Sequence, residues 1–285
     1  MKLKQLTYIF FLGLFLSCGS ANRHETIGGG YGIGEKEGDQ RKGAWTFYRD
    51  DASKVSAGSF ANDLEDGIWN FWHEDGTLEE ESVWTAGKLN GEFNNYHANG
   101  NIKASGSFSN DFYNGNWTWY DENGKIESTG EYINNLKTNK WERFYPNGEL
   151  KEVAYFKDSL FNGAYLSWYD NGIQSAKNEY KDGLRNGEWT FWHYNGNLKD
   201  ISIWKDGFLK GESTAFHING AVDYEGTYEN SQESGLFTWY YPDGVVKKEG
   251  TFADGKKNGI FNFYNAAGEL QVSEEYQNGV IVAID

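Results

Sequence analysis

The chain has 285 residues and a formal net charge of −16, and so acidic a protein disfavours nucleic acid and anionic lipid as direct ligands. It contains 12 Trp, 19 Tyr and 19 Phe, and this amount of apolar ring surface excludes a disordered chain. Cys18 is the single cysteine, which excludes an internal disulfide.

Residues 1–17 have the pattern of a signal peptide, because two lysines precede a mostly apolar run that is short for a transmembrane helix. The four residues ending at Cys18 read Phe-Leu-Ser-Cys and resemble the lipobox of bacterial lipoproteins. The resemblance implies that a diacylglycerol is attached to the Cys18 thiol. It places the protein in the bacterial cell envelope, lipid-anchored, on the outer membrane if the organism has one.

Residues 18–42 are predicted to be the lipidated cysteine followed by a flexible, glycine-rich tether. Glycines crowd this segment around Gly28-Gly29-Gly30, and it shows no strand pattern. A phosphate-binding loop is disfavoured here, because no strand pattern precedes the glycines and no helix pattern follows them.

Residues 43–285 consist of ten tandem repeats of 24 residues, without an insertion. We number positions from the first residue of each repeat, which is position 0. The ten repeats begin at Gly43, Gly67, Gly91, Gly115, Asn139, Gly163, Gly187, Gly211, Gly235 and Gly259.

Aromatic residues recur at fixed positions of the repeat. Positions 5 and 17 are aromatic in all ten repeats, and position 2 is aromatic in nine, with Ser213 in the tenth. Position 15 is often glycine, which leaves room for a neighbouring ring. Alternation along a strand places position 2 on the face opposite position 5, so both faces of a sheet carry rings.

The turn residues predict that each repeat is a β-hairpin. Position 8 is Asp or Asn and position 9 is Gly in nine repeats each, and Pro146 and Pro242 both fall at position 7. Proline suits the second residue of a type I turn, so we predict a three-residue loop over positions 7–9. Position 5 then lies opposite position 11, and a second turn lies between positions 18 and 23.

The predicted fold is all-β: an elongated, twisted antiparallel sheet of ten tandem hairpins with about twenty strands. Contacts in such an array are between neighbours in sequence.

The repeats resemble the MORN repeat in its bacterial variant form. The signature is clearest in Gly187–Gly196, which reads Gly-Glu-Trp-Thr-Phe-Trp-His-Tyr-Asn-Gly. The resemblance covers residues 43 to about 282 and implies an elongated antiparallel sheet that binds proteins or membranes. Bacterial chains of this type are often labelled antitoxin-like, a cytosolic role that fits poorly with an export signal.

Catalytic and metal chemistry is disfavoured. His73, His97, His193 and His217 share position 6, but equivalent positions two strands apart are separated by about 9.6 Å, too far for one metal ion. The Asp/Asn-Gly turns offer calcium one side chain each, whereas the ion needs six to eight oxygens. Active sites are singular, whereas these features recur. We therefore expect neither an enzyme nor a cofactor.

The rings at position 2 are the candidate binding face, with core packing as the alternative. The candidate residues are Trp45, Trp69, Phe93, Trp117, Trp141 and Trp189. A row of exposed rings marks an interaction surface.

Three functions remain open on the sequence alone. The leading hypothesis is a monomeric, envelope-anchored scaffold that binds another envelope protein. The alternative is glycan or cell-wall binding through stacked aromatic rings. A third is an enzyme accessory without a ligand of its own.

Overall fold

The computed structural model describes residues 23–25 and 30–285, and within them all regular secondary structure is β. The 24 strands belong to one antiparallel sheet in which strands that follow each other in sequence are neighbours, which confirms the predicted fold class. The strands are β1 (Arg23–Glu25), β2 (Tyr31–Glu37), β3 (Gln40–Tyr48), β4 (Lys54–Ala61), β5 (Leu64–Trp72), β6 (Leu78–Thr85), β7 (Lys88–Tyr96), β8 (Ile102–Ser109), β9 (Phe112–Tyr120), β10 (Ile126–Ile133), β11 (Leu136–Phe144), β12 (Leu150–Lys157), β13 (Leu160–Trp168), β14 (Gln174–Lys181), β15 (Leu184–Arg185), β16 (Gly187–Trp192), β17 (Leu198–Lys205), β18 (Phe208–Phe216), β19 (Val222–Glu229), β20 (Gln232–Tyr240), β21 (Val246–Ala253), β22 (Lys256–Tyr264), β23 (Leu270–Gln277) and β24 (Val280–Ile284).

The chain divides into two compact units. The first contains the residues up to 126 together with 132–135, and the second contains 127–131 and 136–285. Each unit is built from the same hairpin, so one description of the repeat serves for both. Strands β15 and β16 occupy the place of one strand, which is interrupted at Asn186.

The three-residue loop is confirmed in position and register. In repeat 2 the Gly76 amide donates to the His73 carbonyl, and Gly76 has a φ of 85°, the left-handed region that glycine adopts without strain. Trp72 at position 5 lies opposite Leu78 at position 11, as predicted. The Asp75 carboxylate accepts from the Thr77 amide and fixes the loop from within.

The second turn occupies positions 19 and 20 alone. Both residues have positive φ, as in Asn62 (52°) and Asp63 (64°) or Asp182 (49°) and Gly183 (81°). This is the two-residue type I′ turn, whose twist matches that of the flanking strands. Asn, Asp and Gly tolerate positive φ best, which explains the composition of these two positions.

The predicted flexible tether is wrong for residues 31–42. Residues 31–37 form β2, and 40–42 begin β3, which pairs with β2 from Tyr31↔Tyr48 to Glu37↔Gln40. When the 24-residue numbering is continued to before Gly43, these residues occupy the second half of an additional repeat. Gly34 stands at position 15 of that half-repeat, and its lack of a side chain leaves room for the Trp45 ring. The remainder of the predicted tether and residues 1–17 lie outside the described residues, apart from β1 and Gly30.

The sheet has two chemically different faces. Register within a repeat pairs positions 2 with 15 and 0 with 17, and register to the next repeat pairs 17 with 22 and 18 with 21. We call the face with positions 2, 4, 13, 15, 17 and 22 the ring face. The opposite face carries positions 1, 3, 5, 14, 16, 18 and 21.

The core lies on the ring face, where most position-2 rings lie against a position-15 glycine of the preceding repeat. At the other junctions position 15 is Ser82, Ala154, Asn178 or Ser202. A Cβ built on Gly106 would lie 2.2 Å from the Trp117 ring, and one built on Gly250 would lie 2.3 Å from the Phe261 ring. No side chain fits at such distances, so glycine is required for contact between the ring and the backbone. Such a ring is therefore packed in part by a residue of the preceding repeat.

We expect Gly106→Ala to lower the free energy of unfolding by about 1–3 kcal/mol, the usual cost of overpacking a dense core. The added methyl group would displace the Trp117 ring, and urea denaturation followed by tryptophan fluorescence measures the loss. The matched control is Ser105→Ala, at the neighbouring position whose side chain projects to the opposite face. Equal stability of the two variants would contradict the packing described here.

Candidate interaction surface

The rings at position 2 are buried, so the prediction that they form an exposed binding face is wrong. Phe93 is partly buried, and the exposed fractions of the five candidate tryptophans are 2% for Trp45, 3% for Trp69, 1% for Trp117, 5% for Trp141 and 3% for Trp189. Glycines at position 15 let Trp45, Trp69, Trp117 and Trp141 lie close against the sheet, which removes these rings from solvent. They are packing residues.

A backbone irregularity explains why position 2 prefers tryptophan. Between neighbouring repeats the pairing skips near position 15, for example between Ala57 and Ser59, and this frees a carbonyl at position 16. The Trp69 indole Nε1 donates to the Ser59 carbonyl at 3.1 Å, and Trp117 donates to the Ser107 carbonyl at 3.0 Å. The indole therefore satisfies a buried acceptor that the strand ladder leaves over.

Rings at positions 2 and 17 alternate in a contact row along the ring face. At the end of the second unit, Tyr228, Phe237, Phe252, Phe261 and Tyr276 follow each other with centroid distances of 5.1 to 5.3 Å. These contacts are mostly edge-to-face, the arrangement that ring quadrupoles favour.

Ser213 interrupts this row, because it replaces the ring at position 2 of repeat 8. It is 2% exposed and lies opposite Ser202. Two small hydroxyl side chains therefore meet at this junction, whereas Trp69 and Trp117 each lie against a glycine at the equivalent place. Serine also occupies position 15 of repeat 2, where Ser82 lies opposite Phe93, a smaller ring than tryptophan.

Both repeats with serine at position 15 contain the same hydrogen-bond chain on the ring face. The Trp84 indole donates to the Ser82 hydroxyl, which donates to the Glu80 carboxylate at 2.8 Å. Asp200, Ser202 and Trp204 repeat the arrangement. Burial raises the pKa of the Glu80 carboxyl and that of Asp200, because the charged form loses its hydration.

Three of the histidines at position 6 link neighbouring repeats by hydrogen bonds. His97, His193 and His217 each donate Nε2–H to the position-5 carbonyl of the following repeat, at 2.9 to 3.1 Å. Tyr145 and Tyr169 make the same bond with their hydroxyl groups. Position 6 is therefore a structural link between repeats. Within the described residues no cluster of three or more His, Cys, Asp or Glu side chains is arranged to hold a metal ion.

The opposite face carries the exposed apolar side chains. They occur mainly at position 21, directly after the two-residue turn, and at position 1. The position-21 members are Leu64, Phe112, Leu136, Leu160, Leu184, Phe208 and Val280, and the position-1 members are Ile68, Leu236 and Ile260. Most repeats thus expose an apolar side chain on the opposite face, and these side chains form a surface that is available for recognition.

Repeats 5, 6 and 7 add a lysine to this surface, which our sequence analysis missed. Lys157, Lys181 and Lys205 stand at position 18, and the residues opposite them across the turn are Leu160, Leu184 and Phe208. The signal was present in the sequence as Lys-x-x-Leu or Lys-x-x-Phe in three consecutive repeats. It is overlooked when aromatic positions alone are compared.

These features define a protein of tandem β-hairpin repeats with a ring-packed face and an exposed, partly apolar face. Six segments match the model of the family described as MORN repeat variant, so these hairpins are similar to MORN repeats of the variant type. The matched segments are residues 65–85, 89–110, 113–134, 137–158, 185–206 and 233–254.

Similarities to solved structures are distant. The crystal structure of TcdB2-TccC3-TEV is 13% identical over 92% of this chain and 15% of that chain, with a TM-score of 0.21. The crystal structure of TcdB2-TccC3 is 13% identical over 90% of this chain and 16% of that chain, with a TM-score of 0.19. The present chain thus spans less than a fifth of either. No curated protein matches the chain.

Replacing Glu80 by Gln tests the buried hydrogen-bond chain. Because the raised pKa means that the folded protein binds the Glu80 proton more tightly, its contribution to stability is present at low pH. That contribution is lost as the pH rises from the ordinary carboxyl pKa through the folded value. Gln keeps the acceptor for Ser82 and does not ionise, so we expect Glu80→Gln to gain stability relative to the parent protein as the pH rises.

Urea denaturation at a series of pH values measures this difference. Glu81→Gln is the matched control, since Glu81 lies at position 14 on the opposite face. A parallel pH dependence of the parent protein and Glu80→Gln would contradict the assignment.

Proposed function

We propose that this protein is an envelope-anchored repeat scaffold that binds another envelope protein through the face opposite the ring face. The supporting observation is the exposed apolar side chain that most repeats present at the same edge, such as Leu64 in the first unit and Leu184 in the second. The family's repeat architecture supports a scaffold rather than an enzyme, because the same surface recurs in each hairpin.

The surface chemistry favours a protein partner over a glycan. Glycan stacking requires accessible ring faces, and the position-2 rings proposed for it are covered by the neighbouring repeats. Most exposed residues at positions 21 and 1 are aliphatic, such as Leu64 and Ile68, and they bury apolar area against a partner but offer no flat π-surface to a sugar. Phe112 and Phe208 are the exceptions, and they are not neighbours in the array.

Capture with the immobilised chain, starting at residue 19, tests the scaffold function. Solubilised envelope proteins form one sample, and purified cell-wall and surface glycans form the other. We expect saturable, stoichiometric recovery of a protein whose cross-links to the scaffold map to opposite-face lysines such as Lys181. Retention of glycan with no protein recovered would overturn the proposal, as would cross-links confined to the ring face.

Anchoring is tested separately by Cys18→Ala. Cys18 lies outside the described residues, and in the part that the structure describes no helix is long and apolar enough to cross a membrane. Without the thiol no lipid can be attached, so we expect the variant to move from the membrane fraction to the soluble fraction after cell fractionation. Ser20→Ala serves as the control and should stay with the membrane. Retention of Cys18→Ala would refute lipid anchoring.

A further inference from the structure

Three consecutive repeats of the second unit carry a surface feature that the other repeats lack. It consists of Lys157 with Leu160, Lys181 with Leu184, and Lys205 with Phe208, and we call these six residues the apolar-basic strip. Each pair flanks a two-residue turn, and directly opposed residues of antiparallel strands project to the same face. The strip ends where position 21 becomes Gln232 and position 18 becomes Glu229.

The apolar side chains of the strip are continuous from repeat to repeat. Leu160, Leu184 and Phe208 are exposed by 52%, 50% and 54%. A Cβ built on Gly183 would lie 3.4 Å from Leu160 Cδ2, and one built on Gly207 would lie 3.5 Å from Leu184 Cδ2. Each leucine therefore rests on the turn glycine of the next hairpin, and that glycine directly precedes the next apolar residue of the strip.

The three lysines of the strip form no salt bridge within the described residues, although the protein is acidic. The nearest acidic residues along the chain, Asp158, Asp182 and Asp206, occupy the turn tips with φ of 49° to 51°. Among the described residues, no carboxylate lies within 4.0 Å of the ammonium groups of Lys157, Lys181 or Lys205. A local row of three unpaired cations, in a chain with a net charge of −16, favours a partner that carries negative charge at the matching places.

The spacing of the strip selects the form of that partner. Equivalent residues of neighbouring repeats lie two strands apart, which is about 10 Å. One heptad of an α-helix rises about 10.5 Å, so apolar residues seven apart on a helix match one repeat each. An extended strand repeats its side chains on one face every ~6.8 Å and does not keep this register.

We infer that the apolar-basic strip binds an acidic amphipathic α-helix of a partner protein, laid across the strands of repeats 5 to 7. Leucine-type side chains of the helix pack on Leu160, Leu184 and Phe208, and its Glu or Asp residues face the three lysines. A span of two repeats, about 20 Å, accommodates about 14 helical residues, or four turns. The inference rests on the proposed scaffold function and specifies the partner and its site.

The test uses the complete chain and an 18-residue fluorescein-labelled peptide with Leu at the a and d positions of a heptad and Glu at the e and g positions. We expect saturable binding by fluorescence anisotropy. Lys181→Glu and Leu184→Ser should each weaken it about tenfold, as expected for a residue near the centre of an interface. Both side chains are exposed, and thermal melting should show unchanged stability.

The matched control is Leu64→Ser, at the same position 21 of repeat 1, where Ala61 rather than lysine is the opposed residue. It should bind the peptide as the parent protein does. Two further peptides complete the design, one scrambled so that it lacks an apolar stripe and one with Lys in place of Glu. Both should bind at least tenfold more weakly.

Several results would overturn the inference. They are equal binding of the scrambled peptide, no binding of the acidic peptide, or full binding after Lys181→Glu and Leu184→Ser. Binding of phosphatidylglycerol vesicles that is lost in these variants, without peptide binding, would make the strip a membrane contact. If a captured envelope protein still binds both variants, the scaffold function stands and the strip is not its site.

Discussion

The close approach of an aromatic ring to a glycine Cα is the constraint on which the rest of the structure depends. Trp117 can lie against the sheet only because Gly106 has no side chain, and Phe261 depends on Gly250 in the same way. The ring and its glycine come from different repeats, so neither repeat completes its core alone. Nearest-neighbour packing of this kind makes the folding of each hairpin conditional on the next one.

Burial of the rings on one face determines where recognition can occur. Carbonyls freed by the register skip accept hydrogen bonds from indole groups, and the position-5 carbonyls accept hydrogen bonds from His97, Tyr145 and their equivalents. The ring face and the three-residue loops are thereby occupied with holding repeats together. Positions 18 and 21 of the opposite face take no part in these contacts. The residue at position 18 varies from Ala61, opposite Leu64, to Lys181, opposite Leu184.

The 24-residue period, the loop at positions 7–9 and the glycines at position 15 could be read from the sequence, because turns demand particular residues. Which face of the sheet is buried could not be read from the sequence. Alternation places Trp69 and Trp72 on opposite faces, and both are rings; which one is buried depends on the glycine of the preceding repeat and on the skipped pairing. Residues 31–42 were missed because Lys36 occupies the position where every later repeat has a ring.

Ser213 has a consequence for how the array comes apart. On one side of it Trp189 and Trp204 are in contact at 5.8 Å, and on the other the rings from Tyr228 onward form an uninterrupted row. The serine pair at the junction contributes far less apolar contact than a ring on a glycine does. Local unfolding that starts at the C-terminal hairpin would therefore halt at this seam, and a protease would release the last repeats as one fragment.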